Sequence, residues 1–177
     1  MTTAKAINKT DKPKDTKDEQ APLRKELIAL LQGGQAHITF DEAVKNFPAD
    51  LRGTVPPNLP YSAWQVLEHL RMAQRDILDF SAPPTGGYHP IQWPEAYWPK
   101  SHQPPSTHAW DESIQAVHRD LKTFITLIEK PSNDLYQPFR WGDGQNLLRE
   151  ALLLADHNSH HLGEFIVLRR LLGCWHK

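Results

Sequence analysis

Gly144-Gln145-Asn146-Leu147-Leu148-Arg149-Glu150-Ala151-Leu152-Leu153-Leu154-Ala155-Asp156-His157-Asn158-Ser159-His160-His161-Leu162-Gly163-Glu164-Phe165-Ile166-Val167-Leu168-Arg169-Arg170-Leu171-Leu172-Gly173 reads as one long helix. Leu147, Ala151, Leu154, His161, Phe165, Leu168 and Leu172 fall into a single stripe when the chain repeats every 3.6 residues, which marks a helix with one buried face. Asp143 is expected to cap its amino end. Gly173, preceded by Arg169 and Arg170, supplies the chemistry of a carboxyl end. His161 is the one polar residue in the stripe. His157 lies one turn earlier on the same face, so the two imidazoles can converge on one metal ion. The alternative is a pair of core-edge histidines bonded to neighbours such as Asp156 or Glu150. Two ligands do not make a site, and a third must come from elsewhere in the chain.

Working outward, the 177 residues suit one domain, large enough to bury a core. A formal charge of −1 offers no basic footprint for nucleic acid and no attraction to an anionic membrane surface. No apolar run is longer than Ala151 to Ala155, far short of the roughly 20 residues that cross a bilayer, and no signal-peptide pattern opens the chain. These features predict a soluble, cytoplasmic protein. The single cysteine, Cys174, excludes an internal disulfide and stands where a catalytic thiol is not expected.

Residues 1 to 20 are Lys, Asp, Thr and Ala with little to bury, which predicts a disordered leader before a single domain at 21–177. A first helix is expected from Pro22 through Leu23, Leu27, Leu30 and Leu31 to Gly33-Gly34. Thr39 and Glu42 form a capping box that predicts a small connecting helix over 40–47, closed by Pro48. Ser62 and Gln65 form another, opening a long second helix with Trp64, Leu67, Leu70, Ile77 and Phe80 on one side. His69 falls on the edge of that side, near Val66 and Ala73, where it can look toward the core.

From Ala82 to Ala109 seven prolines forbid a regular helix, while Tyr88, Trp93, Tyr97 and Trp98 supply large apolar anchors. This is expected to be an ordered crossover of 28 residues, long enough to return along a whole helix. It is a candidate for the wall of a site, or for an interface with a second copy of the chain in a homodimer. A third helix follows, with Trp110, Ile114, Val117, Leu121, Phe124 and Ile128 spaced at three and four residues until Pro131. Four amphipathic helices without a strand pattern predict an all-α helical bundle.

The segments Leu67-Glu68-His69-Leu70-Arg71, Ala155-Asp156-His157-Asn158-Ser159-His160-His161-Leu162-Gly163 and Leu168-Arg169-Arg170-Leu171-Leu172-Gly173 resemble the DinB-like superfamily. So do Phe40-Asp41-Glu42-Ala43, Tyr97-Trp98-Pro99 and Asp143-Gly144-Gln145, and the likeness runs from about Leu23 to Gly173. The resemblance implies a four-helix bundle of up-down-down-up topology with a long crossover between helices two and three. It also implies a divalent metal, zinc or nickel, held by one histidine of helix two and two of helix four, which match His69, His157 and His161. Where relatives often carry an aromatic residue before the last ligand, this chain has His160, a rival imidazole.

Three neutral imidazoles leave at least one coordination position open, the arrangement of catalytic rather than structural metal sites. A metal there can lower the pKa of bound water or of a thiol. The family resemblance includes thiol-dependent transferases and isomerases, so one expectation is a metal-dependent hydrolase or thiol-dependent transferase acting on a small molecule. The other is a non-catalytic metal-binding or stress-associated interaction protein. Glu68, Asp76, Glu150 and Glu164 are the only general bases that the pattern offers near the histidines.

Overall fold

The computed structural model describes residues 18–175, and every regular element among them is helical. The α-helices are α1 (Ala21–Gln32), α2 (Phe40–Val44), α3 (Ala63–Ser81), α4 (Ala109–Glu129) and α5 (Leu147–Leu171), with short 3-10 turns at Ala49–Leu51 and Glu95–Tyr97. None of these helices is long and apolar enough to cross a membrane.

Both capping boxes form. Thr39 Oγ1 accepts from the Glu42 amide while Glu42 reaches back to Thr39, and Ser62 with Gln65 does the same, so orphan amides at each helix start are paired. The cap of α5 is not Asp143 but Asn146, whose side chain accepts from the Arg149 amide. Asn146 stands immediately before the first residue of the apolar stripe, where a capping side chain reaches the N3 amide; Asp143 is too far back. The connecting helix also differs from expectation, ending at Val44 rather than Phe47. Lys45 leaves the helical region and Asn46 adopts φ 53°, a conformation that Asn tolerates. The reversal drops Phe47 into the core, 5.3 Å from Trp110 and 5.9 Å from Phe165 between ring centres. Tertiary burial outweighs one more turn of helix.

The predicted leader lies outside the described residues as far as position 17. Its last residues, 18–20, are tied to the helices: Arg24 bonds Asp18 at 2.9 Å, and Gln20 bonds Asp134 and accepts from the Leu135 amide. Asp18 and Gln20, which the sequence reading assigned to the leader, therefore pack with the helical body. The buried Arg24 guanidinium draws these residues in, because it needs acceptors.

Two apolar clusters fill the interior. One gathers Trp64, Leu67 and Leu70 of α3, Trp110 and Val117 of α4, and Leu162, Phe165 and Leu168 of α5. The other gathers Leu27 and Leu31 of α1, Ile77 and Leu78 of α3, Phe124 and Ile128 of α4, and Leu147, Ala151 and Leu154 of α5. Each fully buried large side chain contributes on the order of 1.5–3 kcal/mol. Along α5 the change from one cluster to the other falls between Leu154 and Leu162, the stretch that carries His157 and His161.

Helix α3 is the hub. It meets α4 through Glu68 with Ser113, Gln74 with the Val117 carbonyl, and Arg75 with Asp120, pairs whose numbers rise together. Together with Tyr61 just before it, α3 meets α5 and the segment preceding α5 through Tyr61 with Glu164, His69 with His157, and the Phe80 carbonyl with Trp141, where one number rises as the other falls. The crossover folds back along α3. Tyr97 bonds Asp76, Pro99 accepts from Gln65, and the His102 carbonyl accepts from Ser62 at the helix start.

Candidate metal centre

His69 leaves α3 among Val66, Leu70 and Ala73 and is only 3 % exposed. Its Nδ1 lies 2.9 Å from the Tyr97 carbonyl, which can only accept, so Nδ1 carries the proton and Nε2 keeps its lone pair. The ring stacks on Trp98 with centres 4.0 Å apart and planes 6° from parallel, and Tyr61 stacks on the same indole. The imidazole is thus fixed in tautomer by one residue of the crossover and in plane by the next.

From α5, His157 and His161 close on the same point. Nε2 of His157 is 3.1 Å from Nε2 of His69, and the His161 ring centre lies 4.5 Å from that of His69 and 4.4 Å from that of His157. One ring nitrogen from each of the three falls within 4.8 Å of the others. A tetrahedral ion with bonds of about 2.0–2.1 Å holds its nitrogens about 3.3–3.4 Å apart, so small side-chain adjustments suffice to meet it. His161 Nδ1 bonds Glu164 Oε2 at 2.6 Å, leaving its Nε2 free. Glu164 is held in turn by the Tyr61 hydroxyl. Imidazoles backed by a carbonyl and a carboxylate are how metal-ligating histidines are commonly oriented. His157 has no such support: its Nδ1 and the Oδ1 of Asn158 are both buried without a hydrogen-bond partner.

His160 points elsewhere. Its side chain is 68 % exposed, and its Nε2 lies 3.5 Å from Glu164 Oε1, so with His161 and Glu164 it forms a second, outer grouping of donors.

Burial sets the charge state of His157 and His69. It pushes His157 down to about 4, with the neighbouring His161 and His69 charges adding to the effect. His69 is also lowered, mainly by burial, against the opposing bond to Tyr97. Both are neutral at pH 7, the form that ligates metal. Burial would raise Glu164, yet hydrogen bonds from His161 and Tyr61 outweigh it and hold the carboxyl below its ordinary range. Burial and the bond to Glu164 push Tyr61 up to about 12.

The four carboxylates that sequence reading offered as bases divide sharply. Glu68 receives both arms of Arg71 and the Ser113 hydroxyl. Asp76 accepts from Tyr88 and Tyr97, and the buried Glu150 is paired with Arg149. Only Glu164 touches a histidine of the cluster, and there it orients the ring. Sequence reading missed that role, although the three-residue spacing of His161 and Glu164 placed them on neighbouring turns. It also missed Tyr61 and the Tyr97 carbonyl, for which no local signal existed. Of the crossover aromatics, Tyr97 and Trp98 reach the cluster, whereas Trp93 is 67 % exposed and meets the Tyr97 ring edge-on.

Compared with known proteins, the chain matches no family model, no curated protein and no solved structure.

Proposed function

We propose that this chain is a divalent-metal-binding protein of the DinB-like superfamily, with His69, His157 and His161 as the ligands. The fold that goes with this reading is a four-helix bundle of α1, α3, α4 and α5 in up-down-down-up order. The rising pairs between α3 and α4, the opposed pairs between α3 and α5, and the return of the crossover to Ser62 support that order. The observation that carries the metal reading is the convergence of three imidazoles from two helices, two of them already held in the ligating orientation.

His69, His157 and His161 would hold a divalent ion, and such an ion would supply a Lewis-acidic position able to lower the pKa of a bound water or thiol. On this reading the protein is a metal-dependent hydrolase or thiol-dependent transferase. Its own residues orient the donors through Tyr97 and Glu164, and Trp98 shields one face of His69 from water. A second reading, metal binding without turnover, draws on the carboxylates. Glu68, Asp76 and Glu150 are engaged away from the histidines, and Glu164 is committed to His161, so none of these four carboxylates is a spare base at the cluster.

The deciding experiment is elemental analysis of protein purified without a nickel column, followed by calorimetric titration with zinc and assays for thiol transfer and ester hydrolysis. One ion per chain, lost in His69→Ala, supports the site. Tight binding that survives both His69→Ala and His161→Ala would overturn it. Turnover that depends on the ion separates the enzyme from the non-catalytic reading.

A further inference from the structure

A second concavity lies on a different face of the same helices. A cavity of about 570 Å³ opens between α4 and α5 beneath the end of α1, within the roughly 300–1,000 Å³ typical of small-molecule sites. None of His69, His157 and His161 lines it. Its walls take Leu70, Asn158 and Leu162, each one residue beyond a histidine of the cluster and so about 100° round the helix. The two sites therefore share helices, and the histidines do not line the cavity.

Its chemistry is one-sided. The interior is aliphatic, with Leu31, Val117 and Leu121 facing Leu70 and Leu162, and the lips are Leu30 and Leu152, which stay 47 % and 48 % exposed. The charged residues of the lining are Asp41 and Asp156, and neither Lys nor Arg takes part. Asp41 is paired with His118 at 2.9 Å, while Asp156 is exposed and has no partner among the described residues. The segment from Gly33 to Asp41 straps the opening. It leaves α1 through Gly33 and Gly34, both at positive φ, is fastened to α5 by His37 against Ser159 at 2.9 Å, and to α4 by Asp41 against His118.

We infer that this cavity binds a small amphipathic cation, an aliphatic body among the leucines with an ammonium head at the unpartnered Asp156. An apolar body gains from leaving water, and at Asp156 a cationic head finds a carboxylate without a competing lysine or arginine in the lining. This assignment does not depend on the metal centre.

Isothermal titration of the full chain with decylamine, decanol and decanoate tests it. Decylamine should bind saturably, one per chain, at least about tenfold more tightly than decanol, a gap of 1.4 kcal/mol, and decanoate should not bind. Asp156→Asn should weaken decylamine toward decanol and leave decanol unchanged. Leu121→Trp and Ala155→Phe, two independent plugs, should each abolish both, with an unchanged circular dichroism spectrum showing that the helices persist. His157→Ala should leave decylamine binding intact. Absence of decylamine binding, equal binding of amine and carboxylate, or survival of binding in a folded plugged variant would overturn the assignment. Loss of decylamine binding in a folded His157→Ala protein would overturn the separation of the two sites.

Discussion

The two helices that meet at the histidine cluster hold their ligands in different ways. On α5, His161 is oriented by Glu164 three residues along the same helix, so donor and brace arrive together as soon as that helix forms. On α3, His69 is oriented by the Tyr97 carbonyl and the Trp98 ring, which come from a crossover 28 residues further on and are themselves held by Tyr97 to Asp76 and Gln65 to Pro99. One brace is local and robust. The other depends on a loop reaching its place, so the same chemical task is exposed to different failures on the two sides of the site.

The largest effect expected is loss of a ligand. His69→Ala and His161→Ala should each lower zinc affinity by more than the roughly 10- to 100-fold commanded by outer partners, measured by competition with a chromogenic chelator. A much smaller loss at His69 than at His161 would mean that α3 does not complete the site.

Removing the braces should cost less and should separate the helices. Glu164→Gln is expected to lower affinity by about 10- to 100-fold while amide exchange in the crossover stays as it was. Asp76→Ala, which frees the Tyr97 side chain, should lower affinity and also speed exchange across residues 95–102. If Asp76→Ala leaves both measurements unmoved, the crossover is not what positions His69.

Acid provides a test of intermediate size. The folded protein holds His157 at about 4 against an ordinary 6.5, chiefly through burial, and His69 is lowered as well. The unfolded chain therefore takes up protons first as pH falls. Stability of the metal-free protein from these groups is complete above about pH 6.5 and is lost progressively toward pH 4. Denaturant midpoints measured across that range should fall with pH, and His157→Gln should flatten the slope; an unchanged slope would place the titrating groups elsewhere.

The smallest effects belong to the exposed neighbours. His160→Ala and Trp93→Ala should change zinc affinity and stability within about 0.5 kcal/mol, as surface substitutions usually do. A loss at His160 equal to that at His161 would shift the ligand set to the outer grouping with Glu164.

Much of this molecule is written locally. The capping boxes at Thr39 and Ser62, the apolar stripes of the four long helices and the single-turn spacing of His157 and His161 follow from interactions within a few residues, which a 3.6-residue repeat reports directly. Even the misplaced α5 cap had a local signal, since Asn146 directly precedes the stripe. The end of α2 had none: whether Phe47 continues a helix or turns inward is settled by Trp110 and Phe165, more than sixty residues away. Sequence periodicity placed His69 on the edge of a buried face, and a family resemblance paired it with His157 and His161. Only the packed structure brought their ring nitrogens together, put the Tyr97 carbonyl behind His69, and committed Glu68, Asp76 and Glu150 to other partners. The reason is physical. A helix repeats its geometry, so a pattern reveals which side of it is buried, whereas the path of an aperiodic, proline-rich crossover is set by the surfaces it lies against, and those exist only once the helices have packed.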